Sequence, residues 1–511
     1  MKNPPLDAST SDGVLPASAA RSNLSPYAYL PYLPYLRIAA LYFLLQLLLR
    51  LVLSDTLDLD EAEQAFLYAR PDFGYGTQPP LYTWLQWLMF KTFGVNLFAL
   101  SALKNGLLFG TYALMFHLAR PLIGVSGAVA ASASMLLLPA IGWESQRDLT
   151  HSVLLTFIAC ATLWAYFAVL RKPDPSRYAV FGLMLGLGML TKYNFLLFIF
   201  GLAGASLLVP EHRRAFWRPS VSIALVAAAA CFLPHGFWLL THLDTATKDT
   251  LAKMTQGQDA GYVVNVLHGM RDIVLATLSF VTPLWLVYAW LGRRDLRAAT
   301  LARQDPTARF FRILYTAFFA LLMLLVMSGE VRSLKSRWML PLLFSVPLGV
   351  FVMFPVFSTV RFHRRVSQVA GVFAAAILVA LPARIYLGTV TGKPLRAHHP
   401  YAHLSAQIER LFPRVRTLVL EDKFVAGNFY FHRPALRTLL VDNTLRPTAE
   451  PMNEEVLLVL REDLARDWLQ RFQARYPGKT LLQQGYLRLP MLYGSPGTLN
   501  FTYAHFSTPQ P

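Results

Sequence analysis

The sequence predicts an all-α polytopic membrane domain of about eleven transmembrane helices, followed by a small α/β domain outside the membrane. The first observation is composition, because 55% of the 511 residues are hydrophobic and only 15% are charged. One soluble core cannot hide that much apolar surface, so most of it must face lipid. The second is a series of apolar runs of membrane length between residues 36 and 388. The third is a change of pattern after residue 389, where short β-like runs alternate with amphipathic segments.

Apolar runs of about 17 to 25 residues are long enough to cross a bilayer as helices. Two of the runs are short and share one apolar block, which divides at the polar TKYN segment, residues 191–194. The aromatic, amphipathic segment 79–93 predicts an interfacial element rather than another span. The predicted spans lie near residues 36–54, 97–117, 122–141, 150–170, 178–190, 194–210, 219–240, 272–291, 312–328, 338–357 and 367–388.

Basic residues cluster on one side of this arrangement, which the positive-inside tendency makes cytoplasmic. Residues 1–35, rich in Pro, Ser and Ala, are then expected to form a disordered cytoplasmic tail, residues 36–388 the transmembrane domain, and residues 389–511 a periplasmic domain. The net charge of +18 is explained by topology, so no nucleic-acid partner is expected. The clusters are Arg171, Lys172 and Arg177, then Arg213, Arg214 and Arg218, then the arginines from Arg293 to Arg312, then Arg361, Arg364 and Arg365.

The pattern after residue 389 predicts the α/β domain. The string TLVLEDKFVAGNFYFHRPALRTLLVD places short apolar runs at 417–420 and 439–441 on either side of a helical stretch. The run EEVLLVL and the amphipathic REDLARDWLQRF repeat that order. The two cysteines, Cys160 and Cys231, fall inside apolar runs, so neither a disulfide framework nor a cysteine-based zinc site is expected.

Two carboxylates, Asp60 and Glu61, follow the first span in the stretch LDLDEAEQAF. Acidic groups at the mouth of a membrane domain are costly to keep dry and suited to accepting a proton, which indicates chemistry at the lipid interface. Alternatively, Asp60 and Glu63 have the spacing of a helix capping box and only begin a short interfacial helix. Asp148, in the next outer turn, is either a second carboxylate of the same site or the partner of Arg147.

Five cations lie on the outer side, where topology gives no reason for them, and together they predict an anion site. The alternative for each is a snorkelling side chain that anchors a helix end. No histidine spacing resembles a metal-ligand set, so the sequence assigns no metal site. It does not decide whether the protein uses a divalent metal. The aromatic Tyr82, Trp84 and Trp87 are typical of an interfacial belt, or stack on a sugar. The five cations are Lys192, Arg271, Arg332, Lys335 and Arg337.

The string DEAEQAF followed by GYGTQPPLYTWL resembles the first outer loop of the GT-C membrane glycosyltransferases. The similar branch contains the protein O-mannosyltransferases, the lipid A aminoarabinose transferases and the rhizobial lipopolysaccharide galacturonosyltransferases. Its members commonly have a His-Pro-Pro-Leu pattern where this chain has Gln78 in place of the histidine. The segments RDLTHSVLLTF, GLGMLTKYNF, LKSRWMLPLLFSVPL and EDKFVAGNFYFHRP are also similar to this family, in the same order.

The resemblance implies transfer of a sugar from a polyprenyl-phosphate carrier, undecaprenyl phosphate in a typical bacterium, to a lipid or glycan acceptor. The acceptor would be lipid A, lipopolysaccharide or another envelope molecule at the periplasmic face of the inner membrane. Asp60 would be the catalytic carboxylate, supported by Glu61, with Asp148 as the second acid. The carrier phosphate would bind to Lys192, Arg332, Lys335 and Arg337, with Arg271 nearby, and the substrate loops would contribute Tyr75, Gln78, Tyr82 and Tyr193.

The chemistry fits these residue types. Breaking a sugar–phosphate bond builds negative charge on the phosphate, which fixed Lys and Arg groups stabilise, while a carboxylate accepts the proton of an incoming hydroxyl. A lipid-linked sugar flippase is the alternative from another class, but it gives no role to the acidic pair or to the α/β domain. A polysaccharide polymerase or ligase more often carries its catalytic charges in one large late outer loop. A protein acceptor is a further alternative.

Overall fold

The computed structural model describes residues 33–244, 246, 261–294, 300–331, 333–444, 452–461 and 465–507. Most of the predicted N-terminal tail and Arg332 lie outside these described residues. The α-helices are α1 Leu33–Leu53, α2 Leu59–Tyr68, α3 Leu81–Phe93, α4 Leu97–Ala133, α5 Ser145–Arg147, α6 His151–Arg171, α7 Pro175–Met189, α8 Phe195–Leu208, α9 Pro210–Phe216, α10 Val221–Thr241, α11 Tyr262–Gly292, α12 Pro306–Val326, α13 Leu340–Leu343, α14 Val346–Met353, α15 Val360–Val390, α16 Tyr401–Leu411, α17 Lys423–His432, α18 Val441–Thr444 and α19 Ala465–Arg475.

Seven helices within the described ranges are long and apolar enough to cross a membrane, or nine if each of two bent pairs counts as one span. The protein is therefore a multi-pass membrane protein, as predicted, whereas the total of about eleven spans stays a prediction. The first bent pair is α8 with α9, at 115°, and the second joins Ser336–Leu343 to α14, at 49°. The predicted interfacial element is α3, whose 13 residues are too short to span the hydrocarbon core.

Helix α4 reverses direction at Gly124, where the backbone leaves the helical region with φ 74° and ψ 177°. The Ser132 hydroxyl donates to the Tyr112 carbonyl oxygen at 2.7 Å, although the two residues would be about 30 Å apart along one straight helix. Glycine permits the positive φ that this reversal needs. The two spans predicted near 97–117 and 122–141 are thus two helices lying side by side. The predicted division at TKYN is also confirmed, because α7 ends at Met189 and α8 begins at Phe195.

The C-terminal part contains a five-stranded mixed sheet in the order β2-β1-β3-β5-β4. Strand β1 pairs in parallel with both β2 and β3, and β5 pairs antiparallel with β3 and β4. The predicted α/β pattern is confirmed for the first three strands. The sequence analysis does not predict β4 and β5. Most β4 side chains are exposed and give no apolar run. The strands are β1 Thr417–Leu420, β2 Arg437–Leu440, β3 Val456–Arg461, β4 Leu481–Pro490 and β5 Thr498–Phe506.

Helix α17 of this C-terminal part packs directly on α2, the helix that carries the acidic pair. A side chain on Gly427 would place its Cβ 1.9 Å from the Ala62 carbonyl oxygen, so the two backbones touch. The fully buried Asn428 accepts a hydrogen bond from the Leu57 backbone N–H at 2.9 Å, just before α2 begins. The sheet is therefore part of the framework that positions the acidic helix.

We expect Gly427→Val to separate α17 from α2. Overpacking a close contact costs about 1–3 kcal/mol, and here the obstacle is a backbone carbonyl that cannot rotate away. The melting temperature of the purified protein should fall, and turnover should fall with it. Gly371→Val is the matched control, because a Cβ at that helical position meets nothing within 4 Å. Equal melting temperatures for the two variants would contradict the close contact.

Candidate active site

Helix α2 begins directly after Asp58, and the side chain of Glu61 caps its N terminus. The Glu61 carboxylate accepts a hydrogen bond from the Asp58 backbone N–H at 3.2 Å. The capping pair suggested by the sequence, Asp60 with Glu63, is wrong, because Asp60 is already the second residue of the helix. Glu63 instead pairs with Lys423 of α17 at 2.5 Å. The capping function therefore falls on Glu61, and Asp60 is left for another role.

The Glu61 carboxylate is buried between two cations from the first membrane helices. Its oxygens lie 2.7 Å from Arg50 Nη2 and 3.4 Å from Lys104 Nζ, and its side chain is 2% exposed. Burial by itself would raise the pKa of Glu61, but the charges of Arg50 and Lys104 outweigh it and hold that pKa at about 2. Glu61 therefore stays ionised near neutral pH and is a poor proton acceptor. Its geometry fits the supporting role that the sequence analysis gave it.

The Asp60 carboxylate faces a different environment. One of its oxygens accepts from the backbone N–H and the hydroxyl of Thr150, at 3.1 and 3.2 Å. Burial, and then the charges of Asp148 and Glu63, raise the pKa of Asp60 to about 7, against the opposing charge of Lys192. A carboxylate with a pKa near the working pH is suited to general-base catalysis.

Asp148 lies beside Asp60, as one of the two sequence interpretations expected. Its Oδ1 accepts a hydrogen bond from the Asp60 backbone N–H at 3.3 Å. Its Oδ2 lies 3.2 Å from Arg396 Nη1, so its ion partner comes from the segment after α15. The alternative partner, the neighbouring Arg147, is wrong on this geometry. The two carboxylates are brought together, whereas their catalytic roles stay predictions.

Two neighbouring turns carry three of the five predicted cations. Lys192 donates a hydrogen bond from Nζ to the Ser152 hydroxyl at 2.8 Å. The positive charge of Lys192 also acts on Asp60, where it lowers the pKa of the carboxylate. Two residues further on, the Asn194 amide donates to the Trp338 carbonyl oxygen at 3.5 Å. This contact places the 191–194 turn against the turn that carries Lys335 and Arg337. The shared anion site between these turns stays a prediction.

Arg271 differs from those cations, because its charge is already compensated. It lies 2.9 Å from Asp272, and its side chain is 61% exposed. The other Asp272 oxygen accepts from the Leu334 backbone N–H at 3.2 Å, which puts Arg271 at the rim of the Lys335 turn. Arg332, the remaining predicted cation, lies outside the described residues.

The predicted substrate loop is a tight turn. Tyr75 and Gln78 exchange two backbone hydrogen bonds, at 3.0 and 3.4 Å, around Gly76, which has φ 67°. The buried Tyr75 uses its hydroxyl to accept from the Asp72 backbone N–H at 2.9 Å, so this side chain closes the loop. Gln78 is half-buried.

Two further aromatic residues of the prediction lie inside the protein. Tyr82 is 1% exposed, with its ring centroid 5.2 Å from that of His151, so the belt interpretation is wrong for Tyr82. Tyr193 shares a hydrogen bond with His235 at 3.1 Å and stacks on its ring. His235 in turn contacts the Phe73 carbonyl oxygen at 2.6 Å. These contacts tie the 191–194 turn to the loop before α3.

Sequence reasoning missed Arg50, Lys104 and Arg396, the cations that hold the carboxylates. Arg50 and Lys104 lie at the outer ends of predicted spans, so the positive-inside test that singled out Lys192 also applied to them. Arg396 gives no such signal, because only folding brings it to Asp148. The described residues contain no group of three or more His, Cys, Asp and Glu side chains that could hold a metal ion.

Comparisons with known proteins identify the family of this chain. Residues 77–238 match the family described as dolichyl-phosphate-mannose-protein mannosyltransferase. The lipopolysaccharide core galacturonosyltransferase RgtB of Rhizobium johnstonii is 35% identical over 411 residues, which are 79% of this chain and 82% of RgtB. The corresponding RgtA of the same organism is 30% identical over 471 residues, 90% of this chain and 94% of RgtA. The lipid A galacturonosyltransferase RgtD is 31% identical over 249 residues, 47% of this chain and 51% of RgtD.

The fold is similar to that of ArnT from Cupriavidus metallidurans bound to undecaprenyl phosphate, with a TM-score of 0.60 over 94% of this chain and 98% of ArnT at 12% identity. This likeness shows the fold, a helical membrane domain with a small sheet, and the relatives RgtA and RgtB identify the class as a membrane glycosyltransferase. The chain belongs to the GT-C superfamily, in the branch that includes the rhizobial lipopolysaccharide galacturonosyltransferases. The family expected from the sequence is confirmed.

The raised pKa of Asp60 predicts how activity depends on pH. Only the ionised carboxylate accepts a proton, so kcat/KM should rise with pH up to about 7 and then level off. The Asp148 charge helps to raise this pKa, so Asp148→Asn should move the rising limb to lower pH even if the maximal rate falls. The surface variant Asp467→Asn is the control and should leave the limb in place. A limb at the wild-type pH in Asp148→Asn would contradict this electrostatic coupling.

Proposed function

We propose that the protein transfers a sugar from a polyprenyl-phosphate carrier to a hydroxyl group of lipid A or the lipopolysaccharide core. The observation that carries the proposal is Asp60, a half-buried carboxylate with a pKa of about 7 beside Lys192. A base and a fixed cation at one position suit a reaction in which a hydroxyl loses a proton while a phosphate leaves.

Each group has a task in this reaction. Asp60 accepts the proton of the acceptor hydroxyl, and its hydrogen bonds from Thr150 orient it. Lys192 and Arg337, with Lys335 and Arg332 near them in sequence, stabilise the charge on the leaving carrier phosphate. Arg271 contributes at the rim. Asp148 keeps the pKa of Asp60 high enough for the proton transfer.

The relatives support the identity of the substrates. RgtA and RgtB are named as core galacturonosyltransferases, RgtD is named as a lipid A galacturonosyltransferase, and the ArnT structure holds undecaprenyl phosphate. We therefore propose an undecaprenyl-phosphate-linked uronosyl donor and an envelope glycolipid acceptor. The proposed location is the bacterial inner membrane, with the N terminus in the cytoplasm and the 36–388 membrane domain followed by a periplasmic 389–511 domain.

Asp60→Asn should abolish transfer. Loss of a general base typically lowers the rate by about a hundredfold or more. The amide keeps the size of the carboxylate, so expression and monodispersity should stay near wild type. Transfer by the purified variant from donor to acceptor lipid is the measurement. Wild-type turnover would remove Asp60 from the mechanism.

Lys192→Ala or Arg337→Ala should weaken donor binding by about 1.5–3 kcal/mol, the scale of charge-assisted hydrogen bonds. The affinity for the acceptor should change less. Titration of polyprenyl phosphate against each variant measures the effect. Arg177→Ala is the control, because Arg177 pairs with Asp174 in a different loop. Unchanged donor affinity in both test variants would assign Lys192 and Arg337 to membrane anchoring.

A deletion strain tests the acceptor directly. Mass spectrometry of its lipid A and core oligosaccharide should show the loss of one sugar that is attached through a hydroxyl. A phosphate acceptor is already ionised at neutral pH and needs no base. A missing sugar on a lipid A phosphate would therefore exclude the general-base role of Asp60. A sugar missing from protein instead would favour a protein O-glycosyltransferase.

A further inference from the structure

A second cationic site, whose lining does not include Lys192, lies next to the ion pairs of Glu61. A cavity of about 60 Å³, room for about four water-sized groups, opens between the outer ends of α1, α4 and α15. Its walls include the side chains of Arg50, Lys104, Arg147 and Arg384, with Asp58 as their acidic neighbour. Uncharged hydrogen-bonding groups from Gln46, Ser101, Asn105 and Gln146 complete the polar part of the lining.

The cations around this cavity differ in their hydrogen-bond partners. Arg50 and Lys104 each form an ion pair with Glu61, which does not line the cavity. Among the residues that the structure describes, Arg384 has no carboxylate at ion-pair distance. Its Nε and Nη1 atoms are buried and, within the part of the chain that the structure describes, have no hydrogen-bond partner. Arg384 is half-buried, but leaving these two buried nitrogens without partners costs free energy, which an anion that accepted from both would offset.

The position of the cavity suggests which substrate supplies that anion. Arg147 is next to Asp148, and Ala397 of the cavity wall is next to Arg396, the partner of Asp148. The cavity thus borders Asp148, which lies beside Asp60. The turns that carry Lys192 and Arg337 contribute no residue to its walls. A direct displacement needs the attacking hydroxyl and the leaving phosphate on opposite sides of the sugar carbon. The cavity lining contains neither Lys192 nor Arg337, so it is separate from the proposed phosphate site and available to the acceptor.

We infer that this cavity binds an anionic group of the acceptor, a phosphate or a carboxylate, through Arg384 and Arg147. The inference rests on the proposed function, because it assigns a subsite of the same reaction. Binding the acceptor through a fixed negative group would place its hydroxyl against Asp60. It would also select charged glycolipids over neutral ones, because the guanidinium forms a stronger hydrogen bond with an ionised group than with a neutral hydroxyl.

The test uses the purified full-length protein with two matched acceptors, a lipid A or core glycolipid that bears its phosphates and carboxylates, and the same molecule after dephosphorylation and carboxyl reduction. Arg384→Gln should raise the KM for the charged acceptor by about tenfold or more, the scale of one charge-assisted bidentate contact. The KM for the modified acceptor and the affinity for polyprenyl phosphate should stay near wild type. Arg147→Gln, at an exposed position, should act in the same direction with little risk to folding.

Arg364→Gln is the control, since it changes the same residue type near the opposite end of the same helix. An equal KM ratio of charged to modified acceptor in wild type, Arg384→Gln and Arg147→Gln would overturn the inference while leaving the transferase proposal intact. A rise in donor KM with unchanged acceptor KM would also overturn it, and would assign the cavity to the donor sugar. Absence of transfer to either acceptor by the wild-type protein, with donor binding intact, would instead overturn the proposed acceptor class.

Discussion

The buried ion cluster of Glu61 with Arg50 and Lys104 is the constraint on which the site depends. It fixes the start of α2 to the ends of two membrane helices. Consecutive residues of a helix point about 100° apart, so fixing Glu61 toward these cations turns Asp60 toward Thr150. Two adjacent carboxylates therefore have opposite environments, with a pKa of about 2 for Glu61 and about 7 for Asp60. That division separates a permanently charged anchor from a group able to exchange a proton near neutrality.

The C-terminal sheet completes this constraint from the other side. Gly427 and Asn428 of α17 contact the backbone on either side of the α2 start, and Lys423 pairs with Glu63. Arg396 reaches Asp148 from the same part of the chain. The acidic helix is thus held between membrane helices and the sheet. This arrangement explains why a membrane transferase carries an α/β domain, for which a flippase has no evident use.

The charge distribution around the acidic pair has two parts with different degrees of neutralisation. Glu61 compensates the cations beneath it, whereas the guanidinium of Arg384 remains without a hydrogen-bond partner among the described residues. In a separate group of cations, the turn that carries Lys192 contacts the turn that carries Arg337 through the hydrogen bond from Asn194 to the Trp338 carbonyl oxygen. The proposed reaction joins an anionic donor lipid to an anionic acceptor, so each of the two needs its own cationic contacts. The two separate sets of cations, one lining the cavity and one in the turns of Lys192 and Arg337, fit that proposal.

The sequence by itself determined the membrane character, the division at TKYN, the first three strands and the candidates Asp60, Glu61 and Lys192. Composition, run length and charges at span ends are local properties of the sequence, so they can be interpreted without knowing how the helices pack. Local pattern also indicated two spans on either side of Gly124. The family resemblance followed from the order of short motifs along the chain.

Only the tertiary structure decided which charges meet. Asp148 and Arg396 are 248 positions apart, and their contact depends on how the segment after α15 returns to the acidic helix. The same holds for the burial of Tyr82, the capping by Glu61 and the cavity around Arg384. Strand β4 is not predicted because its backbone hydrogen bonds to β5 hold it in the sheet while most of its side chains face solvent. Such features arise from packing between distant segments, and no local pattern carries that information.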